Sequence, residues 1–441
     1  MRRSRTALLA LAVFTAPAIA PAAAAPTAVV DLGGPRAYVR ADGVASLAAV
    51  ELYVRAGLDR QTASQNGLAA LVAESVLQTP VAVRAPRANP GTPETLQDAI
   101  DACGAELAFV VTPENVRFSL QGTPDAIAVA APLFARALAA PSFSPPTLTA
   151  ARAALAVRIA DEESDARFVA LQMLRESYYR DGAGLPAFGN PGSLAGLGPD
   201  DAKAFFTAWY LRGDAFLTVA GRSGPATETA TRVLIGALPA GSGAPPSLAS
   251  KAFGAEPKRI VTHRDVEAPY VGVGFAAPPI GDPDFAAAWV MRALLDGVFE
   301  RGAATTQLPV FSPVGSLYGY DTAPAQFVLW INGSQIDPSV GLGAVIALVK
   351  GAATKPLSDA VLTRYKETAR GEWSLETLSL DERAAALGSA VTRGLDADAA
   401  DAVPAAIGAV TAADIQRVAK KYFQKFDVAL VLPRAAGSEG G

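Results

Sequence analysis

One histidine, one cysteine and three methionines in 441 residues narrow the chemistry open to this chain before any pattern is read. A catalytic zinc takes about three protein ligands of His, Cys or carboxylate type, and with His263 and Cys103 each single, carboxylates would have to supply the rest. The same scarcity removes a Ser-His-Asp triad, since the sole candidate base, His263, lies between Thr262 and Arg264-Asp265 in a surface-like setting. A lone cysteine forms no internal disulfide, so stability has to come from packing; Cys103 falls in the apolar pattern of a helix and reads as a small core residue. A net charge of -4 offers no basic surface to phosphates, which excludes nucleic acid as an expected partner.

What is abundant is apolar. With 51% hydrophobic and 18% charged residues, the chain is globular and long enough for about two to three domains. Its start reads as a secretory signal, residues 1–24: Arg2, Arg3 and Arg5, an apolar run from Ala7 to Ala20, then Ala22-Ala23-Ala24 at the cleavage site. Pro17 and Pro21 break that run below the ~20 residues that span a bilayer, and no later segment looks membrane-spanning. The mature protein is expected in the periplasm or secreted.

Gly67 to Leu77 is the most organised stretch. Leu68, Leu71, Val72, Val76 and Leu77 recur at helical spacing on one face, which predicts a buried helix. Before it, Thr27–Asp31, Ala37–Arg40 and Ser46–Ala56 read as strands. After it, Thr92-Pro93-Glu94 suggests a helix start, and that helix ends at Gly104. Ala105–Thr112 and Asn115–Gln121 form a hairpin, followed by a helix over Pro124–Ala140. One long helical region runs from Thr147 to Tyr179, with Asp161-Glu162-Glu163 as an exposed face. A helix over Pro199–Tyr210 feeds a strand, Ala215–Ala220, and one more helix reaches Leu238. The Ala-, Gly-, Ser- and Pro-rich stretch 239–257 reads as a linker, dividing the chain into 25–238 and 258–441. Trp209, Trp289, Trp330 and Trp373 fall on apolar faces and read as core. Gly272-Val273-Gly274 lies within a strand and lacks a phosphate-loop pattern.

The second part repeats the first. Pro199-Asp200-Asp201, Phe206, Tyr210, Asp214 and the strand to Ala220 are matched by Thr411 to Asp414, Val418, Tyr422, Asp427 and the strand Val428–Leu432. A repeat of this length is a duplicated domain, not a solenoid unit.

The order of these features resembles the pitrilysin or insulinase family of metallopeptidases, in the branch related to mitochondrial processing peptidase. The residues that carry it are Val54 to Gly57 before Gly67-Leu68-Ala69, Gly104-Ala105-Glu106 before a strand, and Phe188-Gly189-Asn190 before Leu197 to Asp200. Leu294-Leu295-Asp296-Gly297 and Val410 to Asp414 add to it in the second part. The resemblance implies an α+β protein of two homologous halves, each a mostly antiparallel sheet backed by helices, closing as a clamshell around extended peptides. It also implies zinc held by two His and a distant Glu, with a second Glu as base.

Those positions carry other residues. The His positions are Ala70 and Glu74, the base position is Ala73, and the distant Glu is replaced in the segment holding Val157 and Arg158. No metal and no cofactor are expected in this chain; Glu74 reads as a solvated or ion-paired helix residue. The resemblance also places a substrate-gripping Arg and Tyr in the second half of zinc-less subunits. Here that segment reads Gln307-Leu308-Pro309-Val310-Phe311, leaving Phe311 as a chamber-lining candidate. Ala108, Phe109 and Val110 lie on the strand that the resemblance uses to pair with substrate backbone. The expectation is a catalytically silent subunit that completes a peptide-degrading chamber with a zinc-bearing homologous subunit. The alternative is a periplasmic peptide- or protein-binding module without proteolysis.

Overall fold

The computed structural model describes residues 26–81, 95–243, 249–251, 253–254, 256–305, 314–332 and 338–434. The signal segment, Thr92-Pro93-Glu94 and Phe311 lie outside them. In chain order the first half comprises β1 (Ala28–Asp31), β2 (Arg36–Ala41), β3 (Ala48–Val54), α1 (Leu68–Leu77), α2 (Leu96–Ala102), β4 (Glu106–Val111), β5 (Val116–Gly122), α3 (Pro124–Ala139), α4 (Pro145–Ser164), α5 (Ala166–Tyr178), α6 (Pro191–Gly196), α7 (Pro199–Trp209), β6 (Phe216–Gly221) and α8 (Pro225–Ala237). The second comprises β7 (Arg259–Arg264), β8 (Tyr270–Ala277), α9 (Phe285–Thr305), β9 (Val314–Gly319), β10 (Ala325–Asn332), α10 (Pro338–Thr354), α11 (Asp359–Leu375), α12 (Leu380–Thr392), α13 (Val403–Ala409), α14 (Ala412–Tyr422) and β11 (Phe426–Pro433). No helix among the described residues is long and apolar enough to cross a membrane.

The first sheet runs β1-β2-β6-β3-β5-β4 and the second β7-β11-β8-β10-β9. Leaving out β1, the two orders are the same. In each, one pair is parallel, β2 with β6 and β7 with β11, and the neighbours are antiparallel. This is the α+β duplication expected from the repeated segments. Asp201 and Asp414 do the same work in the two copies, each accepting a hydrogen bond from the backbone N–H at its helix start, Gly198 at 2.8 Å and Thr411 at 2.9 Å.

Two helix boundaries differ from expectation. The helix before Gly104 starts at Leu96, where Thr95 and Asp98 form a reciprocal cap. The long region Thr147–Tyr179 is two helices, broken at Asp165. That residue is extended (φ -93°, ψ 110°), ending α4 and capping α5 by accepting from Arg167 N at 2.7 Å. A short acidic side chain that can bond its own backbone competes with helix continuation, and here it wins.

Each sheet buries one face against its own helices. In the first half the strand residues Val50, Leu52, Phe118 and Leu120 pack with α1, α3 and α7; in the second Val273, Phe275, Phe327 and Leu329 pack with α9 and α14. The opposite faces are covered by exchange. α5, from the first half, lies on β8, β10 and β11, and α12, from the second half, lies on β3 and β6. Gly272 and Gly274 make the seat for α5, since a Cβ on either would press on Leu174 at 3.0 and 3.1 Å. Across the exchange, Gly388 of α12 leaves room for the ring of Tyr53.

The α12 seat holds an ion-paired network, whereas the polar contacts of the α5 seat are hydrogen bonds, from Ser177 to Asp427 and from Gln326 Nε2 to Leu174 O at 3.1 Å. Glu51, fully buried, accepts from Tyr53 Oη at 2.6 Å, Thr218 Oγ1 at 3.1 Å and Arg117 Nη1 at 3.0 Å. Asp381 of α12 accepts from Ser119 Oγ at 2.7 Å and Gln121 Nε2 at 3.1 Å. Burial pushes the Glu51 carboxyl up to about 8, with Arg117 pulling the other way.

Of the tryptophans, Trp289 and Trp373 are core; Trp209 and Trp330 are only half-buried. Cys103 is likewise half-buried, its thiol donating to Ala99 O at 3.1 Å where α2 ends. His263 is exposed on the edge strand β7.

Candidate functional site

The site begins at the entry to α1. Gly67 has φ +90° and Gly189 φ +76°, conformations that favour glycine. They lie back to back: a Cβ on Gly67 would come within 2.9 Å of Phe188 O, and one on Gly189 within 2.8 Å of Gly67 Cα. This contact draws the loop 186–190 against α1 and presents Phe188 beside it.

All ten residues of α1 are buried, Ala70 and Ala73 among them, with Glu74 only 3% exposed. Of the two settings expected for Glu74, solvated or ion-paired, the structure has the second. Its Oε1 accepts from Gln78 Nε2 at 2.9 Å, and its Oε2 lies 3.8 Å from Arg158 Nη2. Arg158 comes from α4, the segment to which the resemblance assigned the distant Glu. Its guanidinium lies over two rings, Phe109 of β4 at 4.7 Å and Phe188 at 5.3 Å. A carboxylate, an arginine and two aromatic faces thus meet beside α1.

This donor set does not fit zinc. Ala70 and Ala73 have no ligand atom, and the remaining carboxylate is paired with a cation that would repel a second one. Among the described residues no group of three His, Cys, Asp or Glu side chains is placed to hold a metal.

β4 is an edge strand, paired only with β5. Phe109 is buried against Arg158 and Phe118, Ala108 is half-buried, and Val110 on the other face is 42% exposed. The three strand residues expected to act together are therefore divided: Phe109 belongs to the Arg158 cluster, while Ala108 and Val110 lie toward the open face.

A cavity of about 530 Å³ opens next to this cluster, between the halves. Val111 and Thr112 at the end of β4 contribute to its wall, as do Ile159, Glu162 and Glu163 of α4, one flank of α5, and the loop 186–190. Leu317, Asp321 and Val328 close it from the second half. Glu162 is half-buried here and burial raises its carboxyl pKa, so the acidic run 161–163 is not wholly the exposed face that its pattern suggests. Tyr179 seals one end by donating to Pro324 O at 2.9 Å. The resemblance implied a chamber between the halves but not the residues that line this cavity, because its walls come from both halves; the one local signal was the Phe188-Gly189-Asn190 loop.

No family model matches the chain, and no curated protein matches it. Solved structures do. A protease from Helicobacter pylori superposes with a TM-score of 0.80 at 14% identity, covering 93% of this chain and 100% of that one. A peptidase M16 inactive domain from Pseudomonas fluorescens gives 0.76 at 16% identity, covering 93% and 99%. A chain of Complex III2 from Candida albicans gives 0.73 at 12% identity, covering 92% and 95%. At such identities the likeness speaks for the fold, and the fold of this chain is that of the M16-like peptidases.

Proposed function

We infer that this chain is a non-catalytic M16-type subunit that completes a peptide-handling chamber with a zinc-bearing homologue. The observation that carries this reading is the Glu74–Arg158 pair capped by Phe109 and Phe188: a protein cation lies against the only carboxylate of the zinc-motif positions. Support for a silent member comes from the M16 inactive domain with the same fold, and support for assembly from the chain of Complex III2. The edge of β4 and the adjoining cavity would hold an extended peptide by its backbone, with Ala108 and Val110 setting the side-chain environment on the open face. The secretory pattern at the start of the chain favours the periplasm or the cell exterior as the place of this work.

The test is co-expression with a His-x-x-Glu-His homologue from the same genome. The expected result is a co-purifying pair that cleaves unstructured peptides and loses that activity with chelator, while this chain alone cleaves nothing. Failure of every such homologue to co-purify overturns the pairing. The binding-module reading then gains, and its check is retention of an extended peptide by this chain alone.

A further inference from the structure

The elbow between α4 and α5 forms a second cleft, of about 670 Å³, against the start of β8 and the end of β10. Asp165, Arg167, Asp265, Glu267, Tyr270 and Trp330 line it. Tyr270 and Trp330 stack at 5.9 Å with 16° between their planes, and Trp330 remains half-buried. Tyr270 is 2% exposed, yet its hydroxyl has no hydrogen-bond partner. A buried phenol left unpaired loses its water without gaining a replacement, so such a group calls for an explanation. Burial also raises its pKa, so the group remains a neutral O–H across the physiological range.

The charge around it is lopsided. Arg167 is taken up by Asp165, at 3.3 Å. Asp265 and Glu267 are exposed and make no ion pair among the described residues, so the rim has two uncompensated carboxylates. Aromatic faces beside such carboxylates attract a cation, and an unpaired phenol favours one that carries N–H groups over one that does not.

We propose that this cleft binds a guanidinium or alkylammonium group, with Trp330 beneath the cation, Asp265 and Glu267 as its counter-ions, and the Tyr270 hydroxyl as hydrogen-bond partner. The site is separate from the Glu74–Arg158 cluster and does not depend on pairing with a zinc-bearing subunit.

Agmatine and tetramethylammonium serve as probes, titrated into the full mature chain and followed by calorimetry and Trp fluorescence. The expected result is saturable 1:1 agmatine binding, about tenfold weaker in Tyr270→Phe, which keeps the ring and loses one hydrogen bond to a charged group. Binding should vanish in Asp265→Asn/Glu267→Gln, and tetramethylammonium should bind at least tenfold more weakly than agmatine. Glu228→Gln, which removes an exposed carboxylate on α8 far from the cleft, serves as the control and should leave agmatine affinity unchanged. Absence of saturable binding overturns the proposal. So does equal affinity for the two probes, or binding indifferent to either Tyr270→Phe or Asp265→Asn/Glu267→Gln in variants with wild-type circular dichroism.

Discussion

Arg158 and Glu74 matter more to the fold together than either does alone, because Glu74 is sealed in α1 while the arginine side chain is about a third open to solvent (36%). Arg158→Ala would leave a buried carboxylate without its cation and remove the stacking on two phenylalanines. The expected loss is about 1–3 kcal/mol, below the full figure for a buried pair because solvent screens the arginine. Adding Glu74→Gln should restore more than half of it, a comparison that denaturant melts of the two singles and the double variant can make. Glu51 gives a second residue-scale prediction. Its folded pKa of about 8 lies above the ordinary 4.5, so the folded state binds more protons between those values and stability falls as pH rises through that window. The slope should reach about 1.4 kcal/mol per pH unit and flatten in Glu51→Gln, read from melts at pH 5 to 8. The resemblance already implied zinc-motif positions at 70, 73 and 74 that carry other residues. It could not show that Arg158 reaches Glu74, since that contact joins α1 to a helix that begins long after it.

Helices and strands were legible wherever the apolar period was long, as in α1, β3 and the α7–β6 unit. They were misread where one side chain decided the outcome, as when Asp165 broke a region of otherwise continuous helical pattern. The Gly272-Val273-Gly274 stretch shows another limit. Its glycines have no local turn to make; they clear space for Leu174 of a helix from the other half. Gly274→Val should therefore lift α5 from the second sheet at a cost of about 1–3 kcal/mol. Hydrogen exchange should report it as faster exchange along α5 and β8, with β3 and β5 unaffected.

At the scale of the whole chain, α5 and α12 tie the halves by reciprocal cover, the second with ion pairs across the contact. Residues 26–243 produced without the rest would leave the α12 seat of the first sheet bare and α5 without its sheet. Each piece expressed alone is expected to aggregate, and the two co-expressed to elute as one complex on gel filtration; soluble, monomeric halves would contradict this. The lining of the cavity between the halves escaped sequence reasoning for the same reason, although the resemblance implied a chamber there: nothing local marks a wall whose two sides, such as Glu162 and Leu317, are so far apart in the chain.

The exchange of α5 and α12 also bears on origin. A lone ancestral half would carry a helix with no sheet of its own to cover and a sheet face with no helix. Two identical copies would resolve both needs by trading helices, as in a domain-swapped homodimer. Gene duplication with fusion would make that dimer covalent and free the two helices to diverge.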